Sequence, residues 1–302
     1  MINPPCPFGA SPPEGEDYGR IHSSIGGSYS VFTAEDTIIT CRARGLFRRQ
    51  GLTPLVGDLV RIEVLGGGEG YIQEILPRKN ELARPTLANL DQLFLLSSLA
   101  SPRPSLRLLD TLIAAAELAD IEPVIVFTKC DLAEGTDFLE IYRAFQCFAI
   151  SPQSDAGSIR ALMEGKTSAF CGNTGVGKSA LLNRIAPNLA LPTGEISAKL
   201  GRGRHTTRHV ELYPVAGGWV ADTPGFSSLE ATEQRSLTKD NLAPAFREFA
   251  PYLGQCRFPD CAHVKDKGCA VIEAVEAGEI PKSRWESYCA IYEELKQKKE
   301  WE

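Results

Sequence analysis

The run Gly172-Asn173-Thr174-Gly175-Val176-Gly177-Lys178-Ser179 constrains this chain more than any other feature. It fits the pattern Gly-x-x-x-x-Gly-Lys-Ser/Thr, follows the apolar segment 168–171 and opens the helix-like segment 178–185, which is the strand-loop-helix context the pattern needs. Glycines there let backbone N–H groups converge on phosphate oxygens at a helix N-terminus. Lys178 adds a cation for the β- and γ-phosphates, and Ser179 offers a hydroxyl to Mg²⁺. Around the loop, buried strands at 93–96, 124–128, 148–150 and 168–171 alternate with helix-length segments at 106–119, 138–145 and 178–185, the rhythm of a mostly parallel α/β sheet.

Downstream, Trp219-Val220-Ala221 leads into Asp222-Thr223-Pro224-Gly225. An acid at that strand end can hold Mg²⁺ through water, and the Gly225 N–H can meet a γ-phosphate. Between the two motifs, Gly203-Arg204-His205-Thr206-Thr207-Arg208 lies in a polar, glycine-rich stretch suited to a switch, with Thr206 or Thr207 as the hydroxyl that senses Mg²⁺. These parts specify a nucleoside triphosphate without specifying its base. The base is indicated by Thr128-Lys129-Cys130-Asp131 at the end of an apolar strand: a carboxylate there accepts from the ring N–H and the exocyclic amine of guanine, a donor pair adenine lacks. Taken alone, such a tetrapeptide serves equally well as a helix cap; paired with the phosphate loop, it reads as a guanine site, with GTP and GDP as ligands.

The guanine motif precedes the phosphate loop, whereas ordinary small G proteins place it after the Asp-x-x-Gly strand. The GTPase region therefore reads as circularly permuted. Before it, short alternating runs at 29–32, 37–43, 59–64 and 70–75, separated by glycines, suggest a small barrel of about five strands. After it, Cys256-x4-Cys261-x-His263-x5-Cys269 offers three thiolates and an imidazole, a set suited to a closed tetrahedral Zn²⁺ that staples a small domain. A redox or free-thiol role is the plainer alternative. The remaining six of the nine cysteines are scattered without the spacing of a disulfide framework.

In this order of motifs the chain resembles the RsgA (YjeQ) family of circularly permuted ribosome-assembly GTPases, from about Gly19 onward. The resemblance implies an N-terminal OB-fold β-barrel, a central circularly permuted α/β P-loop GTPase domain and a small α-rich C-terminal zinc-binding domain. It also implies GTP hydrolysis stimulated by the small (30S) ribosomal subunit during its late maturation, with contacts to 16S-type rRNA. Boundaries are expected at 1–18 for a flexible tail, 19–84 for the barrel, 85–241 for the GTPase domain and 242–302 for the zinc domain.

Two positions depart from the usual G-protein pattern. Thr128 stands where Asn is usual, removing an amide that ties neighbouring loops together. Ser151-Pro152 occupies the second guanine loop, where proline has no N–H to give the guanine carbonyl, leaving that contact missing or supplied by Gln153 or Ser154. Phe226 follows the Asp-x-x-Gly motif where a Ras-like enzyme carries its water-positioning glutamine. The resemblance points instead to His205, with Arg204 or Arg208 available to neutralise charge or to contact phosphate or RNA, and unaided turnover is expected to be slow.

Charge bears on partners. A net charge of -6 excludes a uniformly basic nucleic-acid binder, although Arg42, Arg44, Arg48 and Arg49 around Gly45-Leu46-Phe47 make a local basic tip that suits RNA. No apolar stretch approaches the roughly 20 residues a bilayer crossing needs, and the first residues lack a secretory pattern, so a cytoplasmic, non-membrane protein is expected. A monomer is also expected. Two other functions fit the same motifs: a G-protein switch acting on a protein effector, and an RNA-binding scaffold whose G domain does not hydrolyse.

Overall fold

The computed structural model describes residues 16–49, 51–82, 86–101, 103–132, 137–189, 210–222 and 237–297. In chain order the strands are β1 (Glu16–Ile25), β2 (Ser28–Thr33), β3 (Ile38–Ala43), β4 (Leu59–Gly66), β5 (Glu69–Ile75), β6 (Glu81–Leu82), β7 (Leu87–Ala88), β8 (Gln92–Ser98), β9 (Glu122–Thr128), β10 (Gln146–Ile150), β11 (Thr167–Gly172), β12 (Glu211–Val215) and β13 (Gly218–Asp222). The helices are α1 (Gly45–Arg49), α2 (Leu106–Leu118), α3 (Asp137–Ile141), α4 (Gly157–Leu162), α5 (Lys178–Ile185), α6 (Ala270–Glu276) and α7 (Lys282–Gln297). No helix among the described residues is long and apolar enough to cross a membrane.

The chain folds as two compact units that do not follow its linear order. One comprises Met1–Gln92, Ala156–Phe170 and Ser179–Gly225; the other comprises Leu93–Asp155, Cys171–Lys178 and Phe226–Glu302.

In the first unit, β1 pairs with β2, β2 with β3, β3 with β5, β5 with β4, and β4 returns to β1. That closed order, with β3 and β5 parallel and the other pairs antiparallel, is the partly open five-stranded barrel of an OB-fold. Alternation makes it possible: every second residue of β2 is buried, and Ile21, Val31, Cys41, Val60, Ile62 and Ile72 fill the interior. Residues 16–18, expected in the tail, are the start of β1 and pair with Glu63, Ile62 and Arg61 of β4. The segment from Gly45 that carries the expected basic tip is the short helix α1. Also in this unit, β11 runs parallel to β13, and β13 antiparallel to β12.

In the second unit, β9 and β10 are parallel, with α2 and α3 beside them. Ser105 caps α2 by accepting from the Leu108 N–H at 3.4 Å. The helix expected over 138–145 ends at Ile141, because Tyr142 turns inward, where its hydroxyl reaches Asp110 at 2.8 Å. The C-terminal core gathers Leu237, Leu242, Phe246, Phe249, Val271, Ile280, Tyr288 and Ile291, and α2 contributes Ala114 and Ala115 to the same cluster.

Candidate functional site

Strand β11 ends at Gly172, and the loop Gly172–Lys178 carries the chain into α5. Close packing explains the first glycine: a Cβ at Gly172 would sit 2.7 Å from the Leu96 carbonyl oxygen of β8. Gly175 and Gly177 take φ of 84° and 99°, the left-handed region that side chains resist, so the loop can curl with its amides inward. Val176 is the loop's buried anchor, and its N–H donates to the Asn173 carbonyl at 3.2 Å. Cys171, buried beneath the loop, has its thiol pushed up to about 12 by burial and is therefore inert as a nucleophile.

The base motif is tied directly to this loop. Thr128, 5% exposed at the end of β9, donates its hydroxyl to the Val176 carbonyl at 2.6 Å. The tie that the sequence suggested was lost with the usual Asn is thus made by a shorter side chain. Lys129 follows with φ of 58°, and its ammonium donates to the Ser101 carbonyl. Asp131 lies in the short 3₁₀ turn Cys130–Leu132, exposed and without a partner among the described residues, a carboxylate open to a donor pair. In the neighbouring loop, the Gln153 N–H donates to the Ser151 hydroxyl at 3.3 Å and the Ser154 N–H to the Ser151 carbonyl at 3.2 Å. Both amides that could have replaced the missing Pro152 donor are engaged within their own turn.

Behind the phosphate loop lies a cavity of about 30 Å³ bounded by Leu96, Ser98, Leu109, Leu112, Gly172 and Asn173. It has room for one or two waters and none for a nucleotide. Strand β13 ends at Asp222; His205, Thr206, Thr207 and Gly225, with Arg204, Arg208 and Phe226, lie outside the described residues.

The second cluster is Cys256, Cys261, His263 and Cys269, whose ligand atoms all lie within 4.8 Å of one another. Ligands at about 2.3 Å (sulfur) and about 2.05 Å (nitrogen) around one tetrahedral ion lie about 3.8 Å apart for two sulfurs and about 3.6 Å for sulfur and nitrogen. Cys256 and Cys269 sulfurs are 3.9 Å apart, and the His263 Nδ1 stands 3.5 Å and 3.4 Å from them. The donor set therefore fits a single metal ion. His263 takes φ of 58°, its N–H donates to the Cys261 sulfur at 3.4 Å, and the loop is held to α7 by the Trp285 indole N–H on the His263 carbonyl at 2.9 Å and the Tyr288 hydroxyl on the Ala262 carbonyl at 2.8 Å. Burial raises the Cys261 and Cys269 thiols and lowers His263, so an ion must displace thiol protons to enter.

On the barrel, Arg42, Arg44 and Arg49 are exposed, and Arg44 is paired with Glu63 at 2.8 Å. That pairing takes one cation out of the expected basic tip. Sequence reasoning had no signal for a buried arginine, Arg284, which lies among acids and aromatic rings in the C-terminal core.

The chain matches the RsgA GTPase family over residues 75–232 and the RsgA N-terminal domain over residues 18–72. Among curated relatives, the Small ribosomal subunit biogenesis GTPase RsgA of Caldanaerobacter subterraneus subsp. tengcongensis is 44% identical over 93% of this chain and 96% of its own length. The proteins of the same name from Geobacillus kaustophilus and Bacillus subtilis are 44% and 42% identical, each over 93% of this chain and 98% of their own. Among solved structures, that of YloQ, described as a circularly permuted GTPase, superposes with a TM-score of 0.77 at 36% identity, covering 96% of this chain and 99% of the other. YjeQ from Thermotoga maritima superposes with a TM-score of 0.79 at 33% identity, covering 94% and 100%.

Proposed function

The chain belongs to the RsgA family of circularly permuted GTPases, and from that premise we propose that it binds the small (30S) ribosomal subunit and assists its late maturation, hydrolysing GTP to GDP and phosphate faster when docked. The observation that carries this reading is the likeness, over 93% of the chain, to relatives named for small-subunit biogenesis. The effector-switch and non-hydrolysing readings have no comparable support.

In this proposal Gly172, Asn173, Thr174, Gly175, Val176 and Gly177 cradle the phosphates, Lys178 meets the β- and γ-oxygens, and Asp131 reads guanine beside Lys129 and Thr128. Ser179 and Asp222 would hold Mg²⁺, directly and through water, with Gly225 near the γ-phosphate; the ion supplies charge neutralisation as the phosphoryl group leaves. His205 would orient the attacking water, and Thr206 or Thr207 would meet Mg²⁺ in the subunit-bound state. Cys256, Cys261, His263 and Cys269 would hold Zn²⁺, whose closed shell makes it a structural staple. The barrel, which begins at β1, through Arg42, Arg48 and Arg49, and the zinc domain (242–302) grip 16S-type rRNA, while the GTPase domain (85–241) times release from a cytoplasmic, monomeric protein.

The test is GTP turnover with and without purified 30S subunits. Intrinsic turnover should lie at about 10⁻⁴ to 10⁻² s⁻¹, as for unassisted G proteins, and rise at least tenfold on adding subunits. Turnover indifferent to subunits would refute the reading. His205→Ala should then keep GTP affinity and subunit binding but lose most of the stimulated rate.

A further inference from the structure

Among the described residues, Arg284 has the one fully buried guanidinium, at 0% exposure. From the start of α7 its Nη1 donates to Asp110 Oδ1 at 2.5 Å, its Nη2 to Glu248 Oε2 at 3.0 Å and its Nε to the other oxygen of Glu248. Its Cζ lies 4.6 Å from the Phe246 ring centre, 5.4 Å from that of Phe145 and 5.5 Å from that of Tyr142. Two carboxylates face one cation. Burial therefore raises the Asp110 pKa even against Arg284, while the paired acids outweigh burial and hold Arg284 charged. Clusters of this kind are often no more stable than apolar packing of the same volume, so stability alone does not account for it.

What the cluster joins is more informative. Asp110 belongs to α2 of the GTPase region, and its Oδ1 also accepts the Tyr142 hydroxyl at 2.8 Å. The Tyr142 ring packs on Phe127 with centres 5.8 Å apart; the next residue, Thr128, holds the Val176 carbonyl of the phosphate loop. Leu109 and Leu112, on either side of Asp110, bound the cavity behind Gly172 and Asn173. In the opposite direction along α7, Trp285 and Tyr288 hold the carbonyls of His263 and Ala262 in the cysteine loop. Every link from the metal ligands to the phosphate loop is a direct contact or a chain neighbour, and all lie within one compact unit.

We propose that Arg284 is a positioning residue that couples occupancy of the metal cluster to affinity for the nucleotide. The proposal rests on the metal and nucleotide assignments given above. With the cysteine loop closed on its ion, α7 is fixed through Trp285 and Tyr288, and Arg284 holds Asp110 and Tyr142 where they brace β9 beneath Thr128. Without the ion the loop loosens, α7 gains freedom, and the brace under the base motif slackens. Coupling of this kind is reciprocal: GDP must tighten metal binding by the same factor by which the metal tightens GDP binding.

Zn²⁺ affinity is measured at equilibrium by competition with a chromogenic chelator, with and without saturating GDP, and GDP affinity is measured with and without Zn²⁺. In the wild type GDP should tighten Zn²⁺ at least about fivefold, the lower end of ordinary allosteric coupling, with the same factor on GDP. Arg284→Met should reduce the factor below about twofold. Tyr142→Phe removes one hydroxyl, should give an intermediate factor, and keeps the test open if Arg284→Met does not fold. A merely structural role would lower melting temperature and leave the coupling factor intact. The proposal is overturned by a wild-type protein that binds both Zn²⁺ and GDP with a factor within twofold of one, or by variants that keep the full factor. A wild-type protein unable to hold stoichiometric Zn²⁺ removes the metal assignment together with the coupling, and one unable to bind GDP removes the nucleotide assignment.

Discussion

Replacing Thr128 by valine isolates the hydroxyl that ties the base motif to the phosphate loop. The two side chains have nearly the same shape, so no cavity opens; what is lost is a buried bond of 2.6 Å to the Val176 carbonyl. Such a bond contributes about 0.5–1.5 kcal/mol net, and a buried carbonyl deprived of its donor costs about 1–3 kcal/mol. The second figure governs here, because Thr128 is 5% exposed and water has little access to replace the hydroxyl. For a unit of roughly 150–250 residues, each kcal/mol lowers the melting temperature by about 2–4 °C, giving an expected fall of about 2–12 °C. In the proposed nucleotide site Val176 keeps the loop amides facing phosphate, so GDP affinity should fall by about fivefold to about 150-fold, bounded by the same free energy. Thermal melts with and without GDP, together with titration of a fluorescent GDP analogue, read both quantities. Thr128→Ser retains the hydroxyl and should stay within about twofold of wild type. A Thr128→Val protein melting within 1 °C of wild type and binding GDP within about twofold would refute the reasoning.

Asp131→Asn should move preference from guanine to xanthine nucleotides, because the amide presents a donor where guanine needs an acceptor; competition binding with GDP and XDP checks the reversal. Cys261→Ser should release the metal and lower the melting temperature of the segment containing α6 and α7, read by metal analysis and by hydrogen exchange over residues 237–297. His22 is lowered by burial, against the pull of Glu211 3.8 Å away, so it folds neutral. Its contribution to stability is complete above the unfolded value of about 6.5 and is lost as pH falls toward the depressed folded value, with a slope of at most about 1.4 kcal/mol per pH unit. His22→Gln should flatten that part of the stability profile in denaturant titrations.

Elements with a strong period were legible from the residues themselves. The alternation in 29–32 and 59–64 announced the barrel strands, and the apolar runs at 93–96 and 124–128 announced buried strands, the second of them parallel to β10, because burial on one face or both writes itself into hydrophobicity. Two failures have a common cause. At 138–145 the helical pattern was real, yet Tyr142 left the helix for a hydrogen bond to Asp110, 32 residues earlier. At Thr128 the sequence suggested a missing contact, because the residue type differed from the usual amide; the hydroxyl reaches the same loop once β9 brings it within 2.6 Å of Val176. Both outcomes turn on long-range pairings, which local propensity does not encode. Arg284 was invisible for the same reason: on α7 it reads as one more cation on a charged helix, until Asp110 and Glu248 are seen to close on it.

The permuted order of motifs changes what the Asp-x-x-Gly strand is attached to. In the ordinary order it is followed by the rest of the GTPase fold and eventually by the base motif. Here the chain leaving β13 after Asp222 runs through residues 223–236 to Leu237, 1% exposed in the core that also holds Phe246, Phe249 and Tyr288. The base motif is reached from the other direction, since β8 and β9 follow the barrel in sequence. The C-terminal region is therefore joined to the GTPase machinery twice: by backbone to the strand of Asp222, and by Arg284 to Asp110 and Tyr142 under the strand of Thr128. A cofactor-free helical appendage on a flexible linker would have only the first attachment. In the proposed coupling the second requires a fixed α7, which the cysteine loop held by Trp285 and Tyr288 would supply, and that would give Cys256, Cys261, His263 and Cys269, far along the chain from the phosphate loop, a physical reason to matter to nucleotide binding.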